Sequence, residues 1–354
     1  MFFNELDNEA RQRLIDVQQR GDALRAVRNE LKRRFAGSME WKQRASRDYL
    51  YRRTGRIEKA LGPRSVETEA IHAVFHQGKA AAEERESGLR HTLEGMARVN
   101  RAMGLGRVPR TVGRLLRRLD AAGVLGEQVC VVGTNALFAY EAHAGLRFDA
   151  GLLATSDVDI ALDARRNLGL AARSMPDGLL GLLQKVDATF AARTEGSFTA
   201  VNASGMMVDL ITPERRNRMN VAPRRKRRLV GGVETSDETD IEAVEVPGLE
   251  MIVDAPRFRV TAVAEDGLPV WIAAADPRWW AAHKLWLGNE PTRDPLKRQR
   301  DRDQGRAVAA MLAGFWDNSD VSDGALASIP AFARRALREA IENSGVRDEQ
   351  TPEW

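Results

Sequence analysis

The run SDVDIALD, residues 156–163, sets two carboxylates two positions apart among β-forming and apolar side chains. In a strand, alternate side chains share a face. Asp157 and Asp159 therefore point one way, while Val158, Ile160 and Leu162 point the other and pack inward. Two like charges on one face repel, and burying them is costly without a counter-charge. A divalent cation supplies that charge, and Mg²⁺ commonly takes one or two carboxylates together with substrate phosphates. MMVDLIT, residues 206–212, repeats the pattern, with Val208 and Leu210 flanking Asp209. If the two strands are neighbours, three carboxylates meet at one place.

Upstream, EQVCVV reads as a short apolar strand that ends at Gly133 and Thr134. Glycine lets backbone approach a ligand closely. The turn leads into a helix, closed by Gly145, whose free N–H groups and dipole attract phosphate. The Thr134 hydroxyl adds a donor there, and Asn135 reads as a helix cap. The stretch HAGLRFDAGLLAT, residues 143–155, is expected to loop out, with Arg147 or Asp149 within reach of the acids.

The remaining chain frames this region. Leu14, Val17, Leu24, Val27, Leu31 and Phe35 predict a helix over 4–35. A hairpin with its turn at Ala45 to Arg47 follows. Ser65 caps the next helix, with Glu67 and Glu69 in its first turn and helical pattern to about Val99. MGLGRVP marks a break. Beyond it come a helix at Arg110–Ala122 and a helix carrying Leu179, Leu182, Leu183, Val186 and Phe190. Two strands joined at Ser204–Gly205 follow, then strands at 249–253, 257–264 and 269–274. Asp276 caps a helix that Pro277 opens, and further helices are expected near 296–313 and 324–343. The 354 residues exceed one ordinary core. The expected division is a mostly helical region with a hairpin at 1–104, an α/β unit with a mixed sheet at 105–275, and a helical region at 276–354.

Cys130 is the single cysteine and sits between Val129 and Val131, so no internal disulfide forms and a reducing compartment is expected. No apolar run reaches the roughly 20 residues that span a bilayer. The opening MFFNELDNEARQ is unlike a secretory leader, which together predicts a cytoplasmic protein without a membrane partner. The net charge of +4 is compatible with an anionic ligand but does not demand nucleic acid.

Val132-Gly133-Thr134, Asp157-Val158-Asp159-Ile160 and Val208-Asp209-Leu210 together resemble the nucleotidyltransferase fold of the polymerase β-like superfamily, with its hG[GS], Dh[DE]h and h[DE]h segments. Together with LGPRSVETEAI, RDYLYRR and HKLWL…RDPLKRQRDRDQGRAV, the chain is similar to a bacterial nucleotidyltransferase-like family known by fold more than activity. Thr134 replaces the usual Ser or Gly, and the gap from Gly133 to Asp157 is long. The resemblance implies transfer of NMP from an NTP to an acceptor hydroxyl on RNA such as tRNA, on a protein or on a small molecule, with a toxin-like role open. It implies two Mg²⁺ ions, with Mn²⁺ as a substitute, on Asp157, Asp159 and Asp209, and phosphates on Gly133 and Thr134. It also implies Lys284 against the triphosphate, and it likens Lys297, Arg298, Asp301 and Asp303 to a segment that closes such sites.

The alternative from another class is an adaptor or RNA-binding module that keeps the fold without the chemistry. The run Arg224 to Arg228 would suit RNA, though a solvated hairpin tip neutralised by the acids of 237–245 explains it as well. Arg64 reads either as a substrate-facing cation or as a salt bridge at the helix entry. His283 and the tryptophans at 279, 280 and 286 read as packing residues. Oligomeric state and base preference are not legible.

Overall fold

The computed structural model describes residues 2–44, 46–163, 178–194, 196–214, 241, 243–316 and 321–344. The run Arg224 to Arg228 and most of the acidic stretch after it lie outside the described residues.

The chain opens with β1 (Phe3–Glu5) and α1 (Asn8–Arg33). The Asp7 carboxylate accepts from the Ala10 N–H at 2.8 Å and starts the helix there, later than periodicity alone predicts. Then come β2 (Ser38–Arg44), β3 (Arg47–Thr54) and β4 (Ile57–Pro63), an antiparallel sheet of three strands rather than a lone hairpin. Its inner face closes on Phe35, Met39, Leu50, Phe75 and Ala82. Ser65 and Thr68 form a reciprocal capping box at the start of α2 (Val66–Ala102), one uninterrupted helix of 37 residues. Arg64 hydrogen-bonds Asp48 and Glu69, so the helix-entry salt bridge is the reading that holds.

The main body follows: α3 (Arg110–Ala122), β5 (Val129–Val131), a 3₁₀ turn (Gly133–Ala136), α4 (Leu137–Ala144), β6 (Leu146–Phe148), α5 (Ala150–Leu153) and β7 (Asp157–Leu162). Beyond lie α6 (Gly178–Gln184), β8 (Ala191–Ala192), β9 (Thr199–Val201), β10 (Met207–Pro213), β11 (Val244–Val246), α7 (Leu249–Asp254), β12 (Arg257–Val263) and β13 (Pro269–Ala275). The helices α8 (Pro277–Leu287), α9 (Pro295–Phe315), α10 (Asp323–Leu326) and α11 (Ala331–Glu342) end the described chain.

The main sheet runs β12-β13-β5-β7-β10-β9-β8, with β11 beside β10. It mixes parallel and antiparallel pairs, as the α/β expectation requires. Val158, Ile160, Val208 and Leu210 are at most 2% exposed, so the apolar half of each acid-bearing strand lies in the core.

Three sequence expectations give way. The stretch after α4 does not loop out: β6 pairs antiparallel with β1, and Arg147 donates to the Gly104 carbonyl at 2.9 Å rather than reaching the acids. Residues 249–253 are helical, because Gly248 turns the chain at φ 79° and the run buries Leu249, Met251, Ile252 and Val253. A short apolar run has no periodicity to separate strand from helix. The last helix is split before Pro330, which disfavours helical backbone at Ile329.

Candidate active site

Strands β7 and β10 are parallel neighbours, with Asp209 opposite Asp159 and Met207 opposite Asp157. Equal register and period-two alternation put the three acids on one face. One carboxylate oxygen from each of Asp157, Asp159 and Asp209 lies within 4.8 Å of the others. The cost of this crowding shows in the protonation of Asp159 and Asp209. Burial first, then the charges of Asp157 and Asp209, push Asp159 up to about 6, against the opposing pull of Lys284 and Lys297. Burial also raises Asp209, while a 2.7 Å hydrogen bond from the Thr199 hydroxyl holds it down. The Thr155 hydroxyl donates to the Asp157 carboxylate. Three clustered oxygen donors, two of them raised towards protonation, are what a hard divalent cation relieves, so the residues fit such an ion.

Gly133 is pressed against this cluster. The Val132 N–H donates to the Asp159 carbonyl at 3.1 Å, and the chain then turns at Gly133 with φ 58°. A Cβ at Gly133 would stand 2.0 Å from Asp159 Oδ2, so no side chain fits without displacing the carboxylate. The Trp280 indole N–H donates to the Gly133 carbonyl at 3.1 Å and fixes the turn from α8.

Thr134 is buried, and its oxygen accepts from Arg300 at 2.8 Å and Gln304 at 3.1 Å. The same two side chains donate to the Ala154 and Leu152 carbonyls, so α9 clasps the turn and the approach to β7 together. Asn135 does not cap the helix. Its amide donates to the Asp157 carbonyl at 2.9 Å, and α4 starts without a side-chain cap.

Lys284 is buried, with Nζ 2.7 Å from Asp301, which also takes Arg293 at 2.9 Å. Burial lowers the Lys284 ammonium and Asp301 raises it. Two cations against one carboxylate leave a positive balance in the wall behind Asp159. Lys297 is exposed, and Asp303 accepts from the Gln299 amide at 2.9 Å. His283, pushed down to about 3 by burial, stays neutral and packs on Trp286. Sequence reasoning missed Thr155, Thr199, Arg300 and Gln304. The last two stand four residues apart, hence on one helix face, a signal that was available. The threonines carried none, since only strand pairing sets Thr199 opposite Asp209.

Residues 110–328 match a family model described as nucleotidyltransferase. That span contains the glycine turn, all three acids, Lys284 and the α9 clasp. No curated protein matches the chain.

Proposed function

The chain belongs to the nucleotidyltransferase family matched over residues 110–328, and from that premise we propose that it transfers a nucleoside monophosphate from an NTP to an acceptor hydroxyl at Asp157, Asp159 and Asp209. The observation that carries this reading is the meeting of the three carboxylates within 4.8 Å beside a glycine whose Cβ would strike one of them. Asp157 and Asp159 would hold two Mg²⁺ ions, with Asp209 completing the set for one, and Mn²⁺ suits the same oxygen donors. When bound, such ions neutralise phosphate charge and make an acceptor hydroxyl more acidic.

The chain's own groups do the rest. Gly133 keeps the turn close against Asp159 with no side chain to displace that carboxylate, and the Thr134 hydroxyl still has its proton to donate. Lys284, balanced only in part by Asp301, opposes the negative charge that grows on the phosphates. Asp209, already raised towards protonation, takes the proton of the acceptor hydroxyl. The acceptor oxygen bonds to the α-phosphorus as the bond to the bridging oxygen breaks, and pyrophosphate leaves with that electron pair.

Incubating the purified protein with each labelled NTP, Mg²⁺ and separate RNA, protein and metabolite fractions tests this. Label should pass to one fraction and vanish in Asp157→Ala. Nucleotide binding with no transfer to any fraction would replace the enzyme with the adaptor.

A further inference from the structure

Charge is distributed very unevenly along this chain. Residues 25–64 hold thirteen Lys and Arg against four Asp and Glu, while the whole chain is only +4, so the rest is net negative. This basic segment is the end of α1 and the three-stranded sheet β2–β4. The inner face of that sheet is filled by Met39 and Leu50. By strand alternation and register its other face carries Lys42, Arg44, Tyr49, Arg47 and Arg53 around a buried Tyr51, with Glu40 and Glu58 as its acids.

Two features of this open face resist a purely structural explanation. Arg44 stands directly opposite Arg47 in the ladder, and like charges in that relation destabilise a sheet. Among the described residues, the ion pairs of the sheet are Lys42–Glu58, Arg64–Asp48 and Arg64–Glu69, which leave Arg44, Arg47 and Arg53 without an acid at pairing distance. Lys42, Arg44 and Arg53 nevertheless gather closely enough to hold Glu58 below the usual carboxylate range, with the Lys42 hydrogen bond as the largest cause. Lys42 and Arg44 each lie 5.5 Å from the Tyr51 ring.

Towards the body the cations are paired, Arg25 with Asp120, Arg28 with Glu86 and Arg117 with Asp266. Arg25, Arg28 and Lys32 line a cleft of about 370 Å³ with Arg117 and Trp271, and Arg25 lies 3.4 Å over the Trp271 ring.

We propose that the open face of β2–β4 grips the phosphate backbone of a folded RNA, and that this RNA is the acceptor of the transfer. Exposed guanidiniums with no acid partner match phosphates, which they bind bidentately. An RNA also offers the hydroxyl that the reaction needs. Helix α2 links the sheet to the body: Gly78, against which Phe35 of the cluster under the sheet packs, is about 33 Å along α2 from Asn100, at 1.5 Å per residue. Asn100 donates to the Gly267 carbonyl of the body at 2.8 Å. The claim that the RNA is the acceptor rests on the nucleotidyltransferase reading, whereas the claim of binding does not.

The test uses the full chain and labelled bulk tRNA as the folded RNA probe, first without divalent ions. Wild type should bind with an affinity that falls steeply with salt, and Asp157→Ala should bind equally well. The triple change Arg44→Glu, Arg47→Glu, Arg53→Glu should bind at least tenfold more weakly, with a salt slope shallower by about two units, at roughly 0.7–0.9 per phosphate contact. Matching thermal melts establish that the triple variant is folded, and the milder Gln triple replaces it otherwise. No RNA binding, equal binding by the variant, or equal binding of DNA of the same length overturns the proposal. With NTP and Mg²⁺, the variant should raise KM for tRNA and leave kcat within twofold. RNA labelling with an unchanged KM sinks the role of the β2–β4 face but keeps the enzyme. Transfer only to protein or small molecules sinks the RNA acceptor, and no transfer at all sinks the enzyme reading while the binding result stands.

Discussion

At the scale of single residues, Gly133 and Asp159 carry opposite burdens. Gly133→Ala would place a Cβ on the Asp159 carboxylate in a left-handed backbone region. The strain is on the order of 1–3 kcal/mol, which the fold should survive. The displaced carboxylate should cost at least tenfold in divalent-ion affinity by calorimetry and on the order of a hundredfold in transfer rate. Asp159 is raised from an ordinary 3.8 to about 6, so between those values the folded chain keeps a proton that the unfolded chain has released. Stability from this group therefore falls as pH rises from about 4 to 6, and the metal-free protein at pH 7 bears the whole penalty. Asp159→Asn should melt higher than wild type at pH 7 without metal, by on the order of 1–3 kcal/mol, and the gap should close towards pH 4. Adding Mg²⁺ should stabilise wild type by about 2.7 kcal/mol at a hundredfold excess over Kd and do little for the variant. Melting curves that ignore both pH and metal would refute the crowding argument. The identity of these residues was legible because strand parity is a local property. Asn135 was not, since its partner, the Asp157 carbonyl, is supplied by a strand more than twenty positions away.

At the scale of elements, the site depends on α8 and α9 as much as on the strands. Lys284 of α8 meets Asp301 of α9 in a buried pair that Arg293 completes. Removing one partner of such a pair leaves an uncompensated buried charge, so Asp301→Ala should cost about 3–5 kcal/mol in chemical denaturation. The double change Lys284→Met, Asp301→Leu should recover most of that stability. It should still transfer slowly, because the positive wall behind Asp159 is gone. Full activity in the double variant would reduce Lys284 to packing. The capping signal of α8, Asp276 with Pro277, was readable because a cap is chosen by residues adjacent in sequence, while the equivalent start of α9, Asp294 with Pro295, was passed over. The α9 clasp on Thr134 spans 166 positions, and no local pattern announces it.

At the scale of the whole molecule, distant segments stabilise one another. Phe3 meets Phe148 and Phe315 edge-on, at 6.1 and 5.6 Å between ring centres, and β1 closes on β6. The segment after β6 carries the carbonyls that Arg300 and Gln304 clasp, just before Asp157. Phe3→Ala should therefore cost about 1–3 kcal/mol. It should also speed amide exchange at residues 146–148 and slow transfer although no acid is touched. Unchanged exchange there would break this link. No described helix is long and apolar enough to cross a membrane. By itself the sequence determined the acid-bearing strands, the glycine turn and the caps at Ser65 and Asp276, because alternation, φ preference and capping act over a few residues. Tertiary structure alone decided that β7 and β10 lie in register, that Lys284 is held by Asp301 and that β1 binds β6. Those are pairings between surfaces far apart in the chain, and their free energy exists only once the intervening chain has folded.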